Sequence, residues 1–93
     1  MKQFNLGILG PGKIAGVVAN AIKDVKEINK YAVASRDLER AKKFASTHNY
    51  QIAYGSYEEM LADDNIDLVY IATPHAFHYE HMLLCIKYKK DRF

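Results

Sequence analysis

The sequence has little of several features that would assign it to a specialised class of protein. Its 93 residues include a single cysteine, Cys85. One cysteine excludes an internal disulfide and a cysteine-rich zinc site, and the apolar run of residues 82–86 around it favours a small core side chain. No apolar run approaches the roughly 20 residues that a membrane span needs.

The chain also has little excess of charge of either sign. The formal net charge is +2 at pH 7, which is too small to indicate nucleic-acid binding by itself. The first residues lack the basic and then apolar layout of a signal peptide, which favours a cytoplasmic location. With 49% hydrophobic and 26% charged residues, the composition is typical of a soluble globular protein, and residues 1–93 are expected to form one domain.

Short apolar segments alternate with amphipathic ones along the chain. Strands are predicted at Phe4–Leu9, Tyr31–Ala34, Gln51–Tyr54 and Leu68–Ala72, and each is followed by residues with helical spacing. Four strand–helix units with short connections predict an α/β fold, with a parallel sheet, right-handed crossovers and helices on both faces.

The polar residues 87–92 stand where a fifth strand would follow. The sheet is therefore expected to be an incomplete, doubly wound, Rossmann-type sheet of about four strands in the order 3-2-1-4. Its fourth strand would then present a bare apolar edge, which predicts either self-association of the chain through that edge or marginal stability.

A glycine-rich turn connects the first predicted strand to the first helix. Gly10, Gly12 and Ala15 have the G-x-G-x-x-A spacing. The first glycine permits the tight turn, the second lets the backbone approach a pyrophosphate, and the small third residue lets the helix pack close to the sheet. The phosphates would bind the amides of the helix N-terminus. The alternative is a tight strand–helix turn that binds no ligand.

The end of the second predicted strand is where a Rossmann domain distinguishes NAD from NADP. Ser35 occupies the position at which an acidic residue would bind the ribose hydroxyls of NAD, and Arg36 follows with a guanidinium suited to a 2′-phosphate. NADP is therefore predicted ahead of NAD. Asp37 is expected to cap the next helix, and the alternative for Arg36 is an ordinary solvated side chain.

Four segments together resemble a known family. They are GILGPGKIA at 7–15, AVASRD at 32–37, YGSYEEML at 54–61 and DLVYIATPHAFH at 67–78. In order and spacing they resemble the N-terminal NAD(P)-binding domain of the glucose–fructose oxidoreductase, inositol dehydrogenase and MocA (Gfo/Idh/MocA) family. The resemblance runs from about residue 4 to residue 88. It implies an NAD(P)-dependent oxidoreductase acting on sugars, polyols or related alcohols.

The same resemblance implies a set of cofactor-contacting residues. By position these are Gly10, Gly12, Lys13, Ile14, Ser35, Arg36, Ala72, Thr73, Pro74, His75 and His78. The first four would line the pyrophosphate turn, and the next two would meet the adenosine ribose or its phosphate. The last five would form the loop beside the central part of the cofactor and the nicotinamide ribose.

One region departs from the family pattern. In the family, the fifth strand leads into a Glu-Lys-Pro motif, and the proton-transfer residue lies in a second domain. Here residues 89–93 read KKDRF, which resembles a truncated gene product, an excised domain or a frameshift. We therefore expect cofactor binding without turnover by this chain alone. The alternatives are a stand-alone, non-catalytic dinucleotide-binding or interaction module, or a remnant without function.

Three histidines have a spacing that also raises the alternatives of a metal site and a catalytic base. His75, His78 and His81 lie three residues apart, so on a helix they could form a metal pair. Zinc needs three or four ligands with supporting groups, which no further cluster supplies. The unperturbed pKa of a histidine side chain suits a general base, which makes His78 a candidate, but the family takes its proton-transfer residue from the second domain. Neither a metal site nor a catalytic residue is predicted.

Overall fold

Five strands and four helices alternate along the part of the chain that the computed structural model describes, which is residues 4–22, 25–73, 75–88 and 91–92. The strands are β1 (Phe4–Leu9), β2 (Ile28–Ala34), β3 (Ile52–Tyr54), β4 (Leu68–Ile71) and β5 (Asp91–Arg92). The helices are α1 (Lys13–Ile22), α2 (Leu38–His48), α3 (Tyr57–Leu61) and α4 (His75–Lys87). None of the helices in these ranges is long and apolar enough to cross a membrane.

The strands form one parallel sheet in the order β3-β2-β1-β4-β5. Each neighbouring pair is parallel, and β1 lies at the centre between β2 and β4. The predicted α/β class and the order 3-2-1-4 of the first four strands are therefore confirmed. A parallel sheet in this order has its change of winding direction beside β1, which places a crevice beyond the carboxyl ends of β1 and β4.

The prediction of a bare edge at β4 is wrong for the first two residues of that strand. Leu68 pairs with Asp91 and Val69 with Arg92, so a short β5 continues the sheet where the sequence indicated a polar tail. Backbone groups at a strand edge bind another backbone whatever its side chains are. A charged pair of residues can therefore form a strand that apolar patterning does not predict. Self-association of the chain stays a prediction, with a shorter edge to support it.

Two helices begin at side chains that cap them. The Asp37 carboxylate accepts a hydrogen bond of 3.0 Å from the backbone N–H of Glu39, at the start of α2. The Ser56 hydroxyl accepts one of 3.1 Å from the N–H of Glu59, at the start of α3. Both contacts satisfy amides that have no partner inside the helix. The capping role predicted for Asp37 is confirmed, and α2 begins at Leu38, directly after this cap.

The central strand supplies side chains to a core on each face of the sheet. Leu6 and Ile8 belong to one buried cluster, in which Phe44 of α2 also lies. Leu9 belongs to the second cluster, with Met60 and Cys85. Cys85 is fully buried, which confirms its prediction as a core side chain. Alternate side chains of a strand point to opposite faces, so β1 is held from both sides and the turn after it has a fixed starting point.

A tyrosine pair is fixed on the turn that precedes β4. The Asp63 carboxylate accepts hydrogen bonds from the hydroxyls of Tyr31, at 3.0 Å, and Tyr54, at 2.6 Å. Burial, followed by the hydrogen bond to Asp63 and the charge of that carboxylate, raises the pKa of Tyr54 to about 12. The neutral hydroxyl groups of these two tyrosines thereby connect β2 and β3 to the segment between α3 and β4.

Replacing Tyr54 by phenylalanine is expected to destabilise the fold by about 1–2 kcal/mol near neutral pH, because a hydrogen bond to a charged acceptor is lost. The pKa of Tyr54 is raised in the folded state, so its contribution is complete below pH 10 and disappears as the pH rises from about 10 through 12. Urea unfolding of both proteins at pH 8, 10 and 12 measures the difference. A difference that stays constant over this range would contradict the assignment.

Candidate functional site

The carboxyl ends of three strands meet at one edge of the sheet. The N–H of Gly10, after β1, donates to the carbonyl of Ala34 at 2.8 Å, and the N–H of Ala72, after β4, donates to the carbonyl of Leu9 at 2.9 Å. Ser35 follows β2 at the same edge, where its N–H donates to the Tyr54 carbonyl at 3.1 Å. The structure therefore brings together the strand ends at which the sequence placed its candidate residues.

Gly10 is required by the fold itself. Its φ is +94°, a conformation that residues with a side chain rarely adopt. A Cβ atom at Gly10 would also lie 2.8 Å from the methyl carbon Cγ2 of Thr73. The turn after β1 thus packs directly against Thr73, two residues after the end of β4, and a side chain at Gly10 would force the two segments apart.

Gly12 is in a different situation from Gly10. Apart from its chain neighbours, no heavy atom of the described residues lies within 4 Å of the position that a Cβ would take. Its carbonyl accepts the first hydrogen bond of α1, from Gly16 at 2.9 Å, which makes Gly12 the N-cap of that helix. Protein packing gives no reason for a glycine here, whereas a ligand lying on the helix N-terminus does. The residues present therefore fit a pyrophosphate.

The third position of the glycine motif has the packing role that its size predicts. Ala15, one turn into α1, is fully buried in the cluster that contains Leu6 and Ile8. A larger side chain would separate α1 from the sheet and move the helix N-terminus relative to the turn.

Ser35 uses its side chain within the β2–α2 turn. It is buried, and its hydroxyl oxygen accepts a hydrogen bond of 3.1 Å from the N–H of Asp37. The hydroxyl hydrogen remains able to donate to an acceptor in the crevice. The ribose contact expected of Ser35 stays a prediction, and a second role, fixing the turn that carries Arg36, becomes visible only in the structure.

Arg36 lies at a cavity of about 400 Å³ between the β3–α3 connection and α4. Its guanidinium carbon is 5.8 Å from the centre of the Tyr57 ring, within the range of a cation–π contact. Glu58 and Glu80 also line this cavity. The arginine side chain is exposed, so it is accessible to a charged group entering from the carboxyl edge of the sheet.

Two basic residues of α2 lie at this edge beside the glycine turn. Arg40 and Lys43 line a second cavity, of about 340 Å³, together with Gly12 at the start of α1. Both side chains are on α2, one turn apart, and are exposed. Helix periodicity gives no signal for this placement, because Gly12 belongs to a different part of the chain.

Five predicted site residues lie wholly or partly outside the residues that the structure describes. Pro74 lies outside the described residues, and so do the side chains of Lys13, Ile14, His75 and His78. Lys13 and Ile14 begin α1, so their backbone is where the resemblance implied, and His75 begins α4. Among the described side chains, no group of three His, Cys, Asp or Glu residues could hold a metal ion.

Comparison with known proteins adds an independent finding. The model of the Gfo/Idh/MocA oxidoreductase family, NAD-binding Rossmann fold, matches residues 4–93. The trans-1,2-dihydrobenzene-1,2-diol dehydrogenase of Xenopus tropicalis is 41% identical to this chain over 87 residues. That match covers 91% of this chain and 26% of the dehydrogenase, so the chain spans about a quarter of the length of this relative.

Solved structures give the same relationship at the level of the backbone. An NAD binding oxidoreductase from Klebsiella pneumoniae has a TM-score of 0.87 and 28% identity, over 97% of this chain and 26% of that one. A 3-ketoreductase variant from Actinomadura kijaniata, in complex with TDP-benzene and NADP, has a TM-score of 0.89 and 26% identity. The match covers 98% of this chain and 29% of the ketoreductase chain.

Proposed function

The chain belongs to the Gfo/Idh/MocA family of oxidoreductases, whose NAD-binding Rossmann fold it carries. We propose that it binds NADP in preference to NAD, at the carboxyl edge of β1, β2 and β4. The observation that carries the dinucleotide site is the contrast between two glycines, and the preference for NADP rests on Ser35 and Arg36 at the end of β2. Gly10 is explained by its φ of +94° and its contact with Thr73, whereas Gly12 is explained by no contact among the described residues.

The pyrophosphate is proposed to lie across Gly12 on the N-terminus of α1. The first N–H groups of a helix have no partner inside it and carry partial positive charge. Here these groups belong to the backbone of Lys13 and Ile14. A missing side chain at Gly12 lets both phosphates come within hydrogen-bonding distance of this backbone.

The adenosine end is proposed to lie between the end of β2 and the first turn of α2. A 2′-phosphate there would meet the guanidinium of Arg36, and Arg40 lies one helical turn further along α2 on the side of Gly12. No carboxylate occupies the position of Ser35 to repel a phosphate or bind both ribose hydroxyls. These features support NADP over NAD.

When bound, the dinucleotide supplies a nicotinamide ring that accepts or donates a hydride. The residues after β4, Ala72 and Thr73, are proposed to direct that end of the cofactor away from the glycine turn. Since the named dehydrogenase relative is about four times as long as this chain, we propose that this chain supplies cofactor binding to the oxidation or reduction of an alcohol such as a sugar, polyol or diol. The reaction itself would need groups outside residues 1–93.

Calorimetric titration of the 93-residue chain with NADP⁺ and with NAD⁺ tests the proposal. We expect saturable binding of both, with NADP⁺ about tenfold tighter at low salt. Raising the salt concentration should weaken NADP⁺ more than NAD⁺, because the additional phosphate is exposed to screening. As a matched pair, 2′,5′-ADP and 5′-ADP isolate the 2′-phosphate without the nicotinamide.

The two possible failures have different meanings. Tighter binding of NAD⁺ than of NADP⁺ would overturn the preference and leave dinucleotide binding in place. No binding of either cofactor by a chain that unfolds cooperatively on heating would contradict the proposed site, and would favour a non-catalytic interaction module instead.

A further inference from the structure

His81 makes a buried contact with the cofactor edge of the sheet. It lies on α4 and is 5% exposed, as is Thr73. The ring nitrogen Nδ1 of His81 and the hydroxyl Oγ1 of Thr73 are 2.6 Å apart. This is a hydrogen bond between two buried side chains that are eight residues apart in the sequence.

The contact determines which way both branches of Thr73 point. A β-branched side chain has few χ1 rotamers, and here the hydroxyl is directed at His81. The methyl carbon Cγ2 is then the atom nearest to Gly10, since a Cβ at that glycine would lie 2.8 Å from it. Rotation of Thr73 would replace this methyl by a hydroxyl or a hydrogen and change the surface on which the glycine turn rests.

The opposite side of the crevice is connected to the same ring. Tyr57 packs edge to face against His81, with ring centres 4.8 Å apart and an angle of 74° between the rings. The guanidinium carbon of Arg36 lies 5.8 Å from the Tyr57 ring centre. A continuous series of side-chain contacts therefore runs from the glycine turn, through Thr73, His81 and Tyr57, to Arg36.

We infer that His81 is a positioning residue for the dinucleotide site, through its hydrogen bond to Thr73 and its ring contact with Tyr57; the inference rests on the proposed function. The histidine itself does not touch the cofactor. It fixes the Thr73 rotamer that supports the glycine turn, and it holds the aromatic ring over which Arg36 lies. A histidine at this position was considered from the sequence only as a third member of a possible metal series.

Three single variants separate this role from simple packing. His81→Leu fills a similar volume and removes the hydrogen bond. His81→Asn retains an amide group close to the place of Nδ1 and therefore keeps a partner for Thr73. Thr73→Val removes the hydroxyl and preserves the branched shape. NADP⁺ affinity is measured by calorimetry for each, together with the melting temperature and the amide resonances of Gly10 and Gly12.

We expect His81→Leu and Thr73→Val each to weaken NADP⁺ binding about tenfold, the size of one lost hydrogen bond. The double variant should lose little more than either single variant, because the two residues act as a unit. His81→Asn should stay within about threefold of the parent protein. The Gly10 and Gly12 resonances should shift in His81→Leu and return towards their original positions in His81→Asn.

Two outcomes would overturn the inference without affecting the proposed function. One is unchanged affinity in His81→Leu. The other is a loss of affinity in all variants that follows only the loss in melting temperature, with no rescue by asparagine and strictly additive effects in the double variant. If instead the parent protein binds no dinucleotide, the proposed function fails and this inference fails with it.

Discussion

Replacing Gly12 by aspartate is expected to lower NADP⁺ affinity at least a hundredfold without lowering the melting temperature. The position is an N-cap, at which aspartate is among the preferred residues, and its Cβ would meet no heavy atom of the described residues other than its chain neighbours. The fold therefore tolerates the change. A carboxylate on the N-terminus of α1 would occupy the proposed pyrophosphate position and repel its charge.

Gly12→Asn is the matched control for this prediction, because asparagine has nearly the same shape without the charge. It should lose about tenfold in affinity from bulk alone, and the further loss in aspartate measures the electrostatic part. Gly10→Ala provides the contrast, since its φ of +94° and its contact with Thr73 predict a lower melting temperature. Equal affinities in the parent protein and Gly12→Asp would show that no phosphate lies on this helix N-terminus.

Replacing Arg36 by glutamine is expected to weaken NADP⁺ binding about a hundredfold and to leave NAD⁺ binding within about threefold, so that the variant binds NAD⁺ more tightly than NADP⁺. A charge-assisted contact with a phosphate contributes about 1.5–3 kcal/mol, and only NADP⁺ carries the 2′-phosphate. Titration of the variant with both cofactors gives the ratio of their dissociation constants. The ratio, more than either constant, is the informative quantity, because a general disturbance of the site weakens both cofactors together.

Arg36→Lys and Arg40→Gln refine the same measurement. Lysine keeps the charge and loses the paired donors, so it should retain part of the preference. Arg40 lines the cavity beside Gly12, and its replacement should reduce the preference by a smaller factor than that of Arg36. An equal loss of NAD⁺ and NADP⁺ in Arg36→Gln would mean that this arginine supports the crevice, through Tyr57, and does not bind the phosphate.

Most of the fold could be predicted because its signals are local. The apolar residues of β1 and the helical spacing that follows identify a strand and a helix within a few neighbouring residues. The caps at Asp37 and Ser56 act over two or three residues, and the cap predicted at Asp37 is present. The glycine turn is local as well, so the position of Gly10 and Gly12 between β1 and α1 followed from their spacing.

The limits of prediction lie where a contact joins distant parts of the chain. β5 exists because the edge of β4 offers backbone partners to Asp91 and Arg92, and no apolar pattern marks these two residues. Arg40 and Lys43 are not among the predicted site residues, because helix periodicity alone does not reveal that Gly12 lies opposite them. The three strand ends were expected at one edge, but their hydrogen bonds depend on sheet register.

The sequence by itself determined the alternation of strands and helices and the glycine turn, because short-range patterning specifies both. The order of the first four strands followed from the type of fold that this alternation and this turn indicate. Only the tertiary structure decided which residues of those elements contact one another. It separated Gly10, fixed by Thr73, from Gly12, which is open, and it placed His81 against Thr73 and Tyr57. Such contacts depend on the packing of α4 on the sheet, and side-chain packing between elements leaves no periodic signal in the sequence.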